Sequence, residues 1–232
     1  MNGNNLEKFE DRLDIHFDDK SLLQRAFTHR SYINEHPDKS IKHNERLEFL
    51  GDAVLELVVT DHLFSAYPDR PEGELTAIRA ALVNTLSISA AAKKIGAEEF
   101  LWLSKGEAKD TGRGRRFILA NTYEAIIGAI YLDQGYETAA HFISETLLSE
   151  VGDIIDNESW RDAKSVFQEE AQKHKSITPT YEIIDEYGPD HDKVFTVGVF
   201  LEENQIATGK GKSKQEAESM AAEAALSEKG WE

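Results

Sequence analysis

The sequence predicts a multi-domain protein in which an all-α domain is followed by a small α+β domain. Two observations support this class. Apolar residues recur every three or four positions almost throughout residues 6–150, which is typical of amphipathic helices. After about residue 152, β-branched and aromatic runs alternate with turn residues, which favours strands. We predict a helical domain over residues 1–151, a linker over 152–160 and an α+β domain over 161–230.

The composition indicates a soluble globular chain and excludes several kinds of site. Of the 232 residues, 40% are hydrophobic and none is cysteine, so disulfides, thiolate nucleophiles and Cys-ligated metals are excluded. The longest apolar run, residues 125–132, is far shorter than the roughly 20 residues of a membrane span. Residues 1–20 are rich in Asp and Glu and contain no apolar stretch, so we expect no secretory signal there. We therefore expect a cytoplasmic protein with no membrane partner.

The formal net charge of −17 argues at first sight against a nucleic-acid partner. Neither the helical part nor the C-terminal part is basic overall. A surface for nucleic acid would therefore need a local basic patch, or metal ions that offset the negative charge.

Turn residues divide the helical domain into five to seven predicted helices, with no strand. The helix that follows residue 43 carries Glu45, Glu48 and Asp52 within roughly 60° of one another. Three like charges on one stripe repel, so a cation is expected to offset them. The opposite stripe is apolar and is expected to face the core: Leu47, Leu50 and Val54.

A later helix repeats the pattern, because Asn121 and Glu124 share a face with Gly128. If the two helices pack side by side, their polar stripes can converge. Oxygen ligands without Cys or His suit a hard cation such as Mg²⁺ or Mn²⁺. The alternative is two solvated acidic faces. Against that alternative stand an aromatic residue on the polar side, Phe49, and the helix-weakening Gly128.

Residues 44–52, Asn-Glu-Arg-Leu-Glu-Phe-Leu-Gly-Asp, resemble the signature of the ribonuclease III family. Residues 26–32 and 118–133 resemble the same family in the same order. The resemblance implies an all-helical, homodimeric, Mg²⁺-dependent endonuclease that cuts double-stranded RNA, with Mn²⁺ as a substitute. It further implies 5′-phosphate ends, short 3′ overhangs and a role in rRNA and mRNA processing.

The same resemblance assigns roles by motif position. The acidic catalytic residues are Glu45, Glu48, Asp52 and Glu124, and the metal ligands are Glu48, Asp52, Asn121 and Glu124. Glu72 is placed near the substrate strand. Phe49 matches a residue that packs into the partner subunit, and such a contact would explain its position on a polar stripe.

Asn121 departs from the family pattern, which usually has Asp there. Its carbonyl oxygen can still coordinate a cation, but it adds no charge, so the cation would be held less tightly. Three outcomes stay open: full activity, weakened activity that prefers Mn²⁺ or high Mg²⁺, and a double-stranded-RNA-binding protein that no longer cuts. The intact Glu124 favours activity.

The C-terminal part is predicted to have the order α-β-β-β-α. A helix over residues 162–175 is followed by strands at Thr180–Tyr187, Val194–Leu201 and Gln205–Thr208. A helix over residues 213–229 closes the chain. Three lysines surround its start, where Ser213 is a natural N-cap and Glu216 completes a capping box. Free N–H groups, the helix dipole and the lysines would together bind phosphate.

Residues 162–229 resemble the double-stranded-RNA-binding domain. By position, Gln168, Gln172 and His191 would contact minor grooves, and Lys210, Lys212 and Lys214 would contact phosphates. A further basic cluster before the second site helix is either a solvated loop or a contact for the RNA backbone: Lys105, Lys109, Arg113, Arg115 and Arg116. A third interpretation, an acidic metal-binding protein unrelated to RNA, is disfavoured by the three lysines.

Overall fold

The computed structural model describes residues 4–36, 41–158, 160–189 and 193–231. The chain divides into two units, residues 1–158 and residues 159–232. The predicted class, a helical domain followed by a small α+β domain, is confirmed.

The described part of the first unit contains nine α-helices, so the prediction of five to seven was too low. Several are short, and in six or seven residues an apolar period cannot be counted. Helix α9 lies within the stretch that we expected to be mostly linker. The helices are α1 (Asn4–Leu13), α2 (Lys20–Ala26), α3 (Arg30–Glu35), α4 (Glu45–Ala66), α5 (Glu72–Leu82), α6 (Thr85–Lys94), α7 (Arg113–Gln134), α8 (Tyr136–Thr146) and α9 (Val151–Asp156).

The two longest helices, α4 and α7, have 22 residues each and pack against one another at the centre of this unit. Helix α7 is buried over almost all of residues 118–130, because helices α2, α4, α6 and α8 cover it. Of the apolar stripe predicted on α4, Leu47 and Val54 are buried and Leu50 is half-buried. The central pair therefore provides the frame from which the polar side chains project.

The second unit has the predicted order α-β-β-β-α. Helix α10 (Ala163–Lys175) precedes strands β1 (Thr180–Tyr187), β2 (Val194–Leu201) and β3 (Asn204–Gly211), and α11 (Lys214–Lys229) ends the chain. The strands form an antiparallel sheet in the order β1-β2-β3. Buried side chains from β2, α10 and α11 form the core: Phe167, Ala171, Val199, Leu201, Ala221, Ala222 and Ala225.

Strand β3 is longer than the sequence predicted, since it continues through Gly209 and Gly211. A Cβ atom on Gly209 would overlap the backbone of α11 at Ala217 and Ala221. The glycines that weaken the strand signal are thus the residues that let the alanine-rich helix lie close on the sheet.

Among the described residues, no single helix is long and apolar enough to cross a membrane, although the bent pair α5–α6 meets the criteria of length and composition.

Candidate active site and nucleic-acid interface

Helices α4 and α7 cross at two glycines, Gly51 and Gly128. A Cβ atom on Gly51 would overlap the carbonyl group of Glu124, and a Cβ atom on Gly128 would overlap the carbonyl oxygen of Leu47. The two backbones therefore touch without any side chain between them. Because Glu48, Asp52 and Glu124 lie within about one turn of these glycines, the crossing brings the two polar stripes together.

Gly128→Ala is expected to destabilise the chain by about 1–3 kcal/mol, because the methyl group forces α4 and α7 apart. The same shift separates the carboxylates on the two helices. The measurement is the midpoint of urea unfolding, followed through the helical signal. Gly152→Ala in α9 is the matched control, because nothing lies within 4 Å of the added methyl group there. Equal or higher stability of Gly128→Ala would contradict the close crossing.

The carboxylates at the crossing interact electrostatically. Burial, and to a lesser degree the charges of Asp52 and Glu48, together raise the pKa of Glu124 to about 8. Burial and the charge of Glu45 also raise the pKa of Glu48, whereas a side-chain hydrogen bond from the Asn121 amide opposes that increase. Glu48, Asp52, Asn121 and Glu124 thus form one coupled group, which we call the acidic cluster.

The chemistry of the acidic cluster fits a hard cation. Every donor is a carboxylate or amide oxygen, and a cation would offset both the burial and the repulsion that raise the pKa of Glu124. Across the described ranges, no three His, Asp or Glu side chains are already arranged around a common point to hold a metal ion. Carboxylates repel one another, so without a positive charge between them three of them do not gather around a common point.

Glu124→Gln is expected to stabilise the chain at high pH in EDTA. The pKa of Glu124 is near 8 in the folded chain and about 4.5 in the unfolded chain. The folded chain therefore loses stability as the pH rises from about 4.5 to 8, since only the unfolded chain ionises freely over that range. The variant removes this penalty, which after discounting for partial exposure is about 1–2 kcal/mol, or about 2–8 °C in melting temperature.

The measurement is a pair of thermal melts in EDTA at pH 5 and pH 9, with Glu145→Gln, an exposed glutamate on α8, as the control. The gain should be present at pH 9 and nearly absent at pH 5. An equal gain at both pH values would show that ionisation of Glu124 is not its cause.

Two other predicted acidic residues have separate environments. Glu45 is exposed and forms ion pairs with Arg30, at 3.3 Å, and His43, at 3.6 Å. Glu72 lies in the first turn of α5, where its carboxylate accepts a hydrogen bond from the Thr76 hydroxyl. The charge of Glu45 acts on Glu48, a member of the acidic cluster. Glu72 instead lines a cavity between α4 and α5.

An exposed apolar stripe runs along α4. Phe49 is 81% exposed, Leu57 56% and Phe64 72%. These residues are spaced by eight and seven positions, so they lie on one side of the helix. Beside Phe64, helices α4 and α5 enclose a cavity of about 400 Å³ whose apolar wall includes Leu63 and Leu75. The sequence pattern predicted a role for Phe49 but not for Leu57 and Phe64, although their spacing of about two helical turns places them on the same side of α4.

In the second unit, the predicted RNA contacts are solvent-accessible. Gln168 and Gln172 are exposed one turn apart on α10, and both line a shallow groove. His191 lies outside the described residues. The three lysines at the β3–α11 junction are exposed as well: Lys210, Lys212 and Lys214.

The start of α11 is capped largely as predicted. The Ser213 hydroxyl accepts a hydrogen bond from the Glu216 amide. The Glu216 carboxylate accepts one from the amide of Lys212, one residue earlier than in the standard capping box. Lys214 lies over the ring of Phe195 on β2, at 5.9 Å. The lysines are therefore presented by a well-anchored helix start.

The basic cluster predicted before α7 is not a free loop: Lys105 and Lys109 lie in or beside a short 3-10 turn, and the three arginines lie in the first turn of α7 itself. Arg115 forms an ion pair with Glu98 at 3.1 Å, and Arg113 lies over the ring of Phe117. The backbone amide of Lys105 donates to the Glu35 carboxylate. Part of the positive charge of the basic cluster is thus paired within the fold, through Arg115 and Arg113.

The chain is similar to known proteins in family, in sequence and in structure. A family model described as ribonuclease-III-like matches residues 19–151, and the double-stranded RNA binding motif matches residues 163–229. Ribonuclease 3 of Borreliella burgdorferi is 45% identical over 221 residues, which are 95% of this chain and 90% of that protein. Ribonuclease 3 of Carboxydothermus hydrogenoformans is 46% identical over 97% of this chain and 96% of its own length.

Among solved structures, the nuclease domain of ribonuclease III from Campylobacter jejuni is similar, with a TM-score of 0.55 and 42% identity. The alignment covers 64% of this chain and 95% of that domain. A second structure of the same domain, with a TM-score of 0.54 and 42% identity over 61% of this chain and 97% of that one, was described for flexibility in the region involved in dimer formation.

Proposed function

Because the chain belongs to the ribonuclease III family, and is an endoribonuclease for double-stranded RNA, we propose that it acts by Mg²⁺-dependent hydrolysis at the acidic cluster. The single observation that carries this proposal is the glycine crossing of α4 and α7, which couples Glu48 and Asp52 to Glu124. The products would carry 5′-phosphates and short 3′ overhangs.

The proposed mechanism assigns each member of the cluster a task. Glu48, Asp52 and Glu124 would hold the cation through carboxylate oxygens, and Asn121 would do so through its amide oxygen. A Mg²⁺ ion there, or Mn²⁺ in its place, would activate a water for in-line attack on phosphorus and shield the developing charge. Glu124 must first lose its proton, because its pKa lies near 8. The Asn121 amide orients Glu48 by donating a hydrogen bond to it. Glu45 would tune the cluster through its charge.

We further propose that the active form is a homodimer built on the stripe of α4. In a two-fold dimer, α4 would pair with its copy in antiparallel fashion beside Leu57. Phe49 precedes Leu57 by eight residues and Phe64 follows it by seven, so Phe49 would lie next to Phe64 of the copy. The cavity beside Phe64 then offers a place for the ring of Phe49. Glu72, which lines this cavity, would come close to the partner's portion of the substrate.

The second unit would hold the duplex without reading its sequence. Gln168, Gln172 and His191 would contact minor grooves, and Lys210, Lys212 and Lys214 would contact phosphates. Gln215 stands where another lysine is common in such domains, so binding should be somewhat weaker, and the remaining lysine contacts should make it sensitive to salt. We place the activity in the cytoplasm, in the processing of rRNA and mRNA precursors. No observation favours the alternative of a binding protein that does not cut.

Asn121→Asp is expected to lower the Mg²⁺ concentration that gives half-maximal cleavage by about 10-fold, because a second carboxylate near Glu48 strengthens the attraction for a cation. Long duplex RNA is incubated with the purified chain and with the variant over Mg²⁺ and Mn²⁺ series. The product ends are mapped by their susceptibility to a 5′-phosphate-dependent exonuclease. Cleavage by the unmodified chain to short duplexes with 5′-phosphates supports the proposal. Its absence at every metal concentration would refute it.

A further inference from the structure

A basic cleft lies in the first unit between α2 and the segment that leads into α4. Its volume is about 300 Å³, at the lower end of the range for ligand sites. Among the described residues, the lining is mostly polar, carries two cations and includes no carboxylate: Ser21, Leu22, Gln24, Arg25, Thr28, Ile41 and Lys42. We call it the α2 cleft.

Two cations line the α2 cleft, and a third acts on one of them electrostatically. Arg25 and Lys42 line it, and the charge of Arg46 acts on Arg25 from the first turn of α4. None of the three forms an ion pair with any carboxylate in the described part of the chain. In a chain with a net charge of −17, carboxylates are abundant. Like charges gathered without a partner repel one another, so this arrangement favours an external anion.

The guanidinium of Arg25 is held in place for such a ligand. Its Nε donates a hydrogen bond to the carbonyl of His43 at 3.0 Å, which fixes the side chain at the edge of the cleft that it lines. Arginine presents a planar fork that matches the oxygens of a phosphate, and lysine adds a mobile point charge. The Ser21 hydroxyl and the Gln24 amide add neutral donors to the same lining.

We propose that the α2 cleft binds the phosphate group of a nucleotide. The nucleotide is either part of an RNA backbone away from the acidic cluster or a free mononucleotide. The proposal does not depend on cleavage, because the cleft shares no residue with the acidic cluster.

The test compares the full-length chain with Lys42→Gln. Lys42 is exposed, so its replacement should not disturb folding. Lys93→Gln in α6 is the matched control, an exposed lysine of the same unit outside the cleft. Both arms are run in EDTA, so that neither depends on catalysis and a failure of cleavage cannot be mistaken for a failure of the cleft.

In the RNA arm, binding of a duplex of about 30 base pairs is measured by fluorescence anisotropy over a KCl series. If a backbone phosphate occupies the cleft, Lys42→Gln makes the slope of log K against log salt less negative by about 0.9 for each phosphate that the lysine neutralised. In the nucleotide arm, a nucleoside 5′-monophosphate should raise the melting temperature by a few degrees more than the nucleoside alone at equal ionic strength.

The two arms distinguish the sources of the phosphate. A loss of the nucleotide-induced rise in Lys42→Gln, but not in Lys93→Gln, assigns the cleft to free nucleotides. A change of slope confined to Lys42→Gln assigns it to the RNA backbone. If Lys42→Gln behaves like Lys93→Gln in both arms, the proposal is overturned.

Discussion

Glu124→Gln is expected to reduce the rate of cleavage of double-stranded RNA by about 10²–10³-fold or more at saturating Mg²⁺. A neutral amide replaces a carboxylate that would both hold the cation and share its charge. The loss of several kcal/mol of transition-state stabilisation corresponds to this factor. Binding of the duplex in EDTA should be unchanged, because the exposed contacts of the second unit do not involve Glu124.

The measurement is single-turnover cleavage of a labelled duplex, with Glu145→Gln as the control for loss of one negative charge. The same Glu124→Gln chain is expected to melt at a higher temperature than the unmodified chain at pH 9 in EDTA. A variant that is both more stable and less active separates a role in chemistry from a role in folding. Cleavage at an undiminished rate would remove Glu124 from the mechanism.

Phe49→Ala is expected to shift the chain from dimer to monomer. An aromatic side chain that is 81% exposed in one copy would be buried in the partner's cavity, and such a residue contributes about 2 kcal/mol or more to an interface. A two-fold dimer contains this contact twice, so the dissociation constant of the dimer should rise by about 10³-fold.

Sedimentation velocity over a range of protein concentrations measures this shift. Ile184→Ala, at an exposed apolar residue of β1, is the control, because it lies in the other unit. Phe64→Ala should weaken the dimer in the same direction, since Phe64 would face Phe49 of the copy. A dimer of unchanged stability in Phe49→Ala would show that the stripe of α4 is not the interface.

The sequence by itself predicted the class of the fold and the bounds of strands β1 and β2, and it supplied the acidic residues proposed for the site. The 3–4 spacing of Leu47, Leu50 and Val54 and the β-branched runs of β1 and β2 express local periodicity, which needs no knowledge of distant contacts. The bounds of β1 and β2 agree with the prediction to the residue. The position of Phe49 on a polar stripe likewise follows from helical spacing alone.

Only the tertiary structure decided how these parts meet. That Gly51 and Gly128 face each other's backbones, and so place Glu124 beside Asp52, depends on two helices about 70 residues apart in the chain. The full length of β3, the cavity beside Phe64 and the gathering of Arg25 and Lys42 have the same origin. Burial and electrostatic coupling arise from packing between distant segments. The pattern within one segment does not specify which distant segments pack against it.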